Sequence, residues 1–256
     1  MSLPSVDVLV NTRPSFVRER VLAELGQRIL SGHYPAGDLL PTEAQLSTEF
    51  GVSRTALREA MKMLAAKGMV ISRQRAGTKV QPSTSWNRLD AEVLEWMSEM
   101  DPDPIFVRGL TEARQVIEPA AAGLAALRAT ARDLAAMEDA YQGMCAAPAG
   151  DIVTFSAADV RFHVSILRAS ENPIFANLAN MIGQALLNSF KFTTGAAKDY
   201  RQTLAAHGEV LEAIRMRQSK VAEAKMRALV SIASRDLILA VEQMQSQQRM
   251  DRDAQD

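Results

Sequence analysis

The chain holds a single cysteine, Cys145, among its 256 residues. One thiol excludes an intrachain disulfide and suits a reducing compartment. It is expected as a small buried hydrophobe rather than a reactive group. Histidine is nearly as scarce: His33, His163 and His207 are the whole complement. No apolar run reaches the length that a membrane-crossing helix needs. No basic segment precedes the short apolar patch near the N-terminus, so a secretory leader is not expected and a cytoplasmic location is. Period-2 alternation is almost missing after residue 82, which leaves little room for sheet there. Glycine loops that cradle phosphate and nucleophile–base pairings are missing as well, which argues against an enzyme.

Hydrophobic residues make up 47% of the chain and charged ones 23%, enough apolar material for one large domain or two modest ones. The net charge of −1 hides an asymmetry. Residues 11–82 carry eleven Lys/Arg against six Asp/Glu, a net +5, whereas residues 83–256 carry eighteen against twenty-three, a net −5. A small basic domain followed by a larger acidic one suits DNA binding at one end and a different task at the other.

Residues 41–68 read as two short helices joined by a tight turn. Ala44, Leu46 and Phe50 form the apolar side of the first; Ala56, Leu57, Ala60, Met61 and Leu64 form a helical stripe in the second. Gly51 supplies a turn that favours positive φ, Ser53 can cap the second helix, and Gly68 ends it. The pattern predicts a helix-turn-helix whose second helix would lie in a major groove. Ser53, Arg54, Thr55 and Arg58 fall outside the stripe; arginine suits guanine and hydroxyls suit phosphate or base. An ordinary helical hairpin with solvated arginines is the competing reading. Two features favour DNA. A helix over residues 16–31 comes before the pair, and residues 70–80 after it read as a hairpin with Gly77 in a polar tip. Arg73, Arg75 and Lys79 would put positive charge on that wing.

From this pattern the chain divides into a flexible arm at 1–13, a winged helix-turn-helix at 14–82 and a helical domain at 83–244. A fraying polar tail at 245–256 follows. The helical domain shows periodicity at about 90–99, 104–128, 131–146, 151–170, 173–190, 200–217 and 219–244, an all-α bundle of six or seven helices. Asp159 and His163 are four residues apart and share a helix face, and His207 opens a later helix. One carboxylate and two imidazoles can form a facial triad for a divalent metal; a surface hydrogen bond is the plainer reading of the same spacing. Arg114 suits a carboxylate ligand through its bidentate fork, or a simple i, i+4 pair with Glu118.

The first domain resembles the GntR family of bacterial repressors. The likeness runs through Tyr34-Pro35-Ala36-Gly37, Leu40-Pro41-Thr42-Glu43, Gly51-Val52-Ser53-Arg54-Thr55, Leu57-Arg58-Glu59-Ala60 and Gly77-Thr78. It implies DNA contacts from Thr42, Ser53, Arg54, Thr55 and Arg58, with Arg73, Arg75 and Gly77 on the wing. The second domain is similar to the FCD ligand-binding domain of the FadR subgroup, through Glu112-Ala113-Arg114 to Glu118-Pro119, Asp159 to His163 with Asn172-Pro173, and His207 leading to Ala213-Ile214. Metal-binding members of that subgroup use an Asp-x3-His pair and two later histidines. Asp159, His163 and His207 match three of these positions, and Leu229 stands near the fourth. The resemblance therefore implies a three-ligand site for zinc, nickel or manganese, or an empty site whose groups take effector hydroxyls directly. It also assigns Arg114 to an effector carboxylate. Arg161, Arg168 and Arg235 are further candidates, with Arg235 favoured because the family packs its last helix beside the cavity.

A narrower likeness to family members of sugar-acid operons runs through Trp86-Asn87-Arg88-Leu89-Asp90, Val93-Leu94-Glu95-Trp96 and the serine-rich stretch before Arg235. It implies a sugar acid, D-galactonate first, as effector. The expected protein is a homodimeric repressor that binds palindromic double-stranded operator DNA and leaves it when the acid binds. Other organic acids such as a hexuronate, gluconate or lactate are alternatives. So are a metal-dependent lyase or isomerase tethered to DNA and a constitutive architectural binder.

Overall fold

A computed structural model describes residues 14–73, 76–101, 103–179, 182, 183, 186 and 202–253. The expected N-terminal arm, Arg75 and the predicted break at 193–195 lie outside them. The chain separates into two compact units, residues 1–97 and 98–256.

The first unit is a winged helix-turn-helix. Helix α1 spans Pro14–Leu30, α2 Glu43–Phe50 and α3 Arg54–Ala66. Gly51 ends α2 at φ +64°, the left-handed turn its sequence position called for. Thr42 and Gln45 form a reciprocal capping box at the start of α2, and the Ser53 hydroxyl accepts from the Ala56 amide at the start of α3. Strands β1 (Val70–Arg73) and β2 (Gly77–Val80) pair antiparallel, with Val70 opposite Val80 and Arg73 opposite Gly77. Gly77 thus begins the second strand rather than sitting in the tip. Leu22, Leu25 and Ile29 of α1, Leu46 of α2, Leu57 and Leu64 of α3, and Val70 and Val80 of the hairpin close the core.

This unit extends past residue 82, where the helical domain was expected to begin. A 3-10 turn at Ser83–Ser85 leads to α4, Ala91–Met97. Val93 and Trp96 belong to the first unit's core. Trp96 lies so close to α1 that a Cβ on Gly26 would stand 2.4 Å from its ring. Burial of a large aromatic against a glycine is what draws the segment onto the first unit.

Among the described residues the second unit is all-α. Helix α5 spans Pro104–Arg128, α6 Ala131–Ala146, α7 Ile152–Ala169, α8 is described over residues 173–179, α9 spans Gln202–Arg215 and α10 Ser219–Asp253. Helix α10 continues through most of the tail expected to fray, where Gln, Met and Arg are good helix formers. The core sets the small Ala121, Ala122, Ala125 and Ala126 of α5 against Met137, Phe155, Phe162, Ile166, Val210, Met226 and Leu229. Alanines let α10 and α7 approach α5 closely. Cys145, expected to be buried, is exposed on α6: the stripe that turns inward is Met137, Ala140 and Met144. No helix among the described residues is long and apolar enough to cross a membrane.

Candidate functional site

Five ionisable side chains meet inside the second unit. Arg114 and Glu118 lie one turn apart on α5, Asp159 and His163 one turn apart on α7, and His207 sits on α9; all five are buried. Arg114 Nε donates to Glu118 Oε1 at 2.5 Å. The other carboxylate oxygen of Glu118 stands 2.6 Å from His163 Nδ1, at ion-pair distance but off the line of a hydrogen bond. His207 Nε2 is 2.9 Å from Asp159 Oδ1, and His163 Nε2 is 3.9 Å from the same oxygen. On its other side the His207 ring places Nδ1 2.8 Å from the Thr203 carbonyl.

These contacts constrain the tautomers. A carbonyl only accepts, so Nδ1 of His207 carries a proton; a carboxylate beside Nδ1 of His163 is tolerated only if that nitrogen is protonated too. In their neutral forms both rings then turn an Nε2 lone pair toward Asp159, itself an acceptor. His207 Nε2 is buried with no hydrogen-bond partner. Three lone-pair groups within 4.8 Å of one another, each ring backed by an acceptor on its far side, make a donor set that fits a cation. Phe162 meets both imidazoles edge-on, 5.8 Å from His163 and 5.2 Å from His207, and the two imidazoles meet each other at 5.4 Å.

Burial by itself would raise both carboxyls. For Glu118 the Arg114 guanidinium, then His163, outweigh burial and hold it at about 2. For Asp159 the opposing groups are His163, His207 and Arg114, and it too is held below the ordinary aspartate range. Both are therefore anionic at neutral pH.

The structure thus brings together Arg114, Asp159, His163 and His207, the four that the family resemblance singled out, but not the rest of the expected set. Arg161, Arg168 and Arg235 are exposed, so Arg235 is corrected from a pocket arginine to a surface one: the inward position of that turn is its neighbour Ser234. Ser234 is buried with an unpartnered hydroxyl. Leu229 is buried in the apolar core. Glu118 was the residue that sequence reasoning undervalued. It read only as a partner for Arg114, whereas it also touches His163; its position four residues after an arginine and just before Pro119 was the available signal. Pro119 has no amide to offer, so α5 loses a backbone bond beside this site.

The first unit presents a second surface. Arg54, Thr55, Arg58 and Arg73 are exposed. Thr42 and Ser53 serve as helix caps, which leaves Thr42 Oγ1 donating to Gln45. Arg58 Nε donates to Glu43 Oε2 at 2.7 Å. A cleft of about 550 Å³ between α3 and the hairpin is lined by Arg58, Lys62, Ser72 and Thr78 among others. Gly77 sits at φ +82°, and Arg75 lies outside the described residues.

The comparisons agree with this division. The family model of gntR-type bacterial regulatory proteins matches residues 17–80, and that of the FCD domain matches residues 110–232. The galactonate operon transcriptional repressor of Escherichia coli is 36% identical over 86% of this chain and 96% of its own length. An uncharacterised HTH-type transcriptional regulator of the same organism, YieP, is 37% identical over 76% of this chain and 84% of its own. Among solved structures, that of Lar, which controls expression of the Listeria monocytogenes agr system, superposes with a TM-score of 0.62. That match is 18% identical and covers 95% of this chain and 99% of that one, a likeness of fold. The matched relatives are transcriptional regulators, not enzymes.

Proposed function

Because the chain belongs to the GntR family of bacterial transcriptional regulators and carries an FCD domain, we propose that it is the repressor of a sugar-acid operon, with D-galactonate as effector. The observation that carries the reading is the buried cluster of Arg114, Glu118, Asp159, His163 and His207 inside the helical unit. A regulator needs a polar, enclosed site for a small ligand, and such sites are lined by apolar groups around a few convergent polar ones. The effector identity is supported by the similarity to the galactonate operon repressor.

The charge balance of the cluster favours an anionic ligand only under one condition. Glu118 and Asp159 are ionised and Arg114 supplies one fixed positive charge, so the carboxylates outnumber the guanidinium by one. A carboxylate approaching that cluster would be repelled. Asp159, His163 and His207 would hold a divalent transition ion such as zinc, nickel or manganese, which when bound supplies positive charge and open positions for acid oxygens. With that charge in place Arg114 can share its fork between Glu118 and the effector carboxylate.

On the DNA side, Arg54, Thr55 and Arg58 of α3 would read base edges. Thr42, Ser53, Arg73, Arg75 and Gly77 would meet phosphates or the minor groove. A homodimer would place two such helices on palindromic half-sites about one helical turn apart. Acid binding and DNA binding would oppose each other through a reciprocal coupling.

The test is fluorescence anisotropy of the protein on DNA from upstream of its own gene, titrated with D-galactonate, gluconate, glucuronate and lactate. Selective release by D-galactonate is the expected result. Release by another of the acids would reassign the effector, and binding that none of them disturbs would remove sugar-acid control from the reading.

A further inference from the structure

Lys67 is the most deeply buried lysine among the described residues. It stands at the C-terminal cap of α3, the proposed recognition helix, with its side chain 8% exposed. Its ammonium lies 2.6 Å from Asp90 Oδ1 and 2.6 Å from Glu92 Oε2, and 5.7 Å from the Trp96 ring centroid. Burial pulls the ammonium down; its hydrogen bonds to Asp90 and Glu92 outweigh that and keep the group above the ordinary lysine range. Asp90 also accepts from the Glu92 and Val93 amides, at 3.0 and 3.3 Å, and so starts α4. One side chain therefore joins the C-terminal end of α3 to the N-terminal end of α4.

The backbone around it is held as well. Asn87 donates its amide to the Lys67 carbonyl at 2.9 Å. Trp86 Nε1 donates to the Gln81 carbonyl at 2.9 Å. Gly68, at φ +73°, lies so close to Ser85 that a Cβ there would meet its carbonyl oxygen at 2.2 Å. These contacts lie at the C-terminal end of α3, away from Arg54, Thr55 and Arg58 at its N-terminal end. Helix α4 ends at Met97, the last residue of the first unit, and the chain enters the effector-binding unit at Ser98.

We infer that Lys67 is the positioning residue that makes α3 and α4 one rigid body, so that a displacement of α4 imposed by the effector-binding unit is passed to the recognition helix. The Lys67 side chain is 8% exposed against 27% for Asp90 and 40% for Glu92, so parting them would leave the buried ammonium unpaired. A device of this kind transmits a bias without contributing to either ligand's site. The inference rests on the effector-controlled repression proposed above.

The experiment compares the full-length protein with Lys67→Met and, as a milder variant that keeps the Asp90 cap, Glu92→Gln. Operator affinity is measured with and without saturating D-galactonate. The wild-type chain should lose affinity by a factor in the ordinary allosteric range, roughly 5- to 150-fold. In Lys67→Met that factor should fall to within about twofold of unity, with Glu92→Gln between, while the affinities for operator alone and acid alone change little. An unchanged factor in both variants would overturn the inference. A wild-type chain that ignores the acid would instead sink the effector reading. Hydrogen exchange then decides Lys67 separately: operator binding should protect residues 91–97 in the wild type and not in the variants. Equal protection would overturn it, and should Lys67→Met fail to fold, Glu92→Gln carries both measurements.

Discussion

His207 Nε2 and Asp159 Oδ1 stand 2.9 Å apart, while Nδ1 of the same ring faces the Thr203 carbonyl. A neutral ring so placed sets a lone pair against a carboxylate. Either a proton or a cation must relieve that contact.

Metal should therefore stabilise the protein through these residues. Adding zinc or nickel to chelator-treated protein should raise its melting temperature; a ligand at a hundred times its Kd contributes about 2.7 kcal/mol. His207→Ala and His163→Ala should each abolish most of the rise. A rise that survives in both would place the metal elsewhere.

Arg114 should prove a hazardous residue to truncate. Arg114→Ala strands Glu118 as an unpaired buried charge, a loss on the order of 3–5 kcal/mol. The double variant Arg114→Met with Glu118→Gln should recover much of that stability in urea unfolding, and yet fail to release operator in response to the acid. If Arg114→Ala is as stable as the wild type, the buried pair does not hold in solution. If the double variant still responds, Arg114 does not receive the effector.

Acid should expose the same pair. Glu118 has its folded value depressed to about 2 from an ordinary 4.5. Its contribution is complete above the ordinary value and is lost as pH falls from about 4.5 toward 2. The urea midpoint of metal-free protein should drop across that window, and Glu118→Gln should flatten the drop. Superimposable profiles would show that Arg114 does not hold the carboxyl down.

On the DNA face, Arg54→Ala and Arg58→Ala should each weaken operator binding by about 1–3 kcal/mol, roughly 5- to 150-fold, with acid affinity untouched. Arg58 is braced by Glu43, so its loss should also relax sequence discrimination. Competition against random DNA separates that loss from a plain loss of charge.

The sequence alone determined the local architecture. Gly51, Ser53, Thr42 and the stripe through Leu57, Ala60 and Leu64 encode caps, turn and buried face within a few residues of one another, where short-range sterics and hydrogen bonding decide. The i, i+4 spacings of Arg114 with Glu118 and of Asp159 with His163 were legible for the same reason: a helix fixes which side chains share a face. Tertiary structure decided whatever depends on what a face meets. It set Glu118 between Arg114 and His163, brought His207 from α9 to Asp159, and turned Ser234 inward and Arg235 outward. It left Cys145 on the surface. It also folded residues 83–97 onto the first unit, because the complement of Trp96 is Gly26 and the complement of Lys67 is Asp90 with Glu92. Such pairs lie tens of residues apart, and no periodicity within either segment records them; only the packed core brings them into contact.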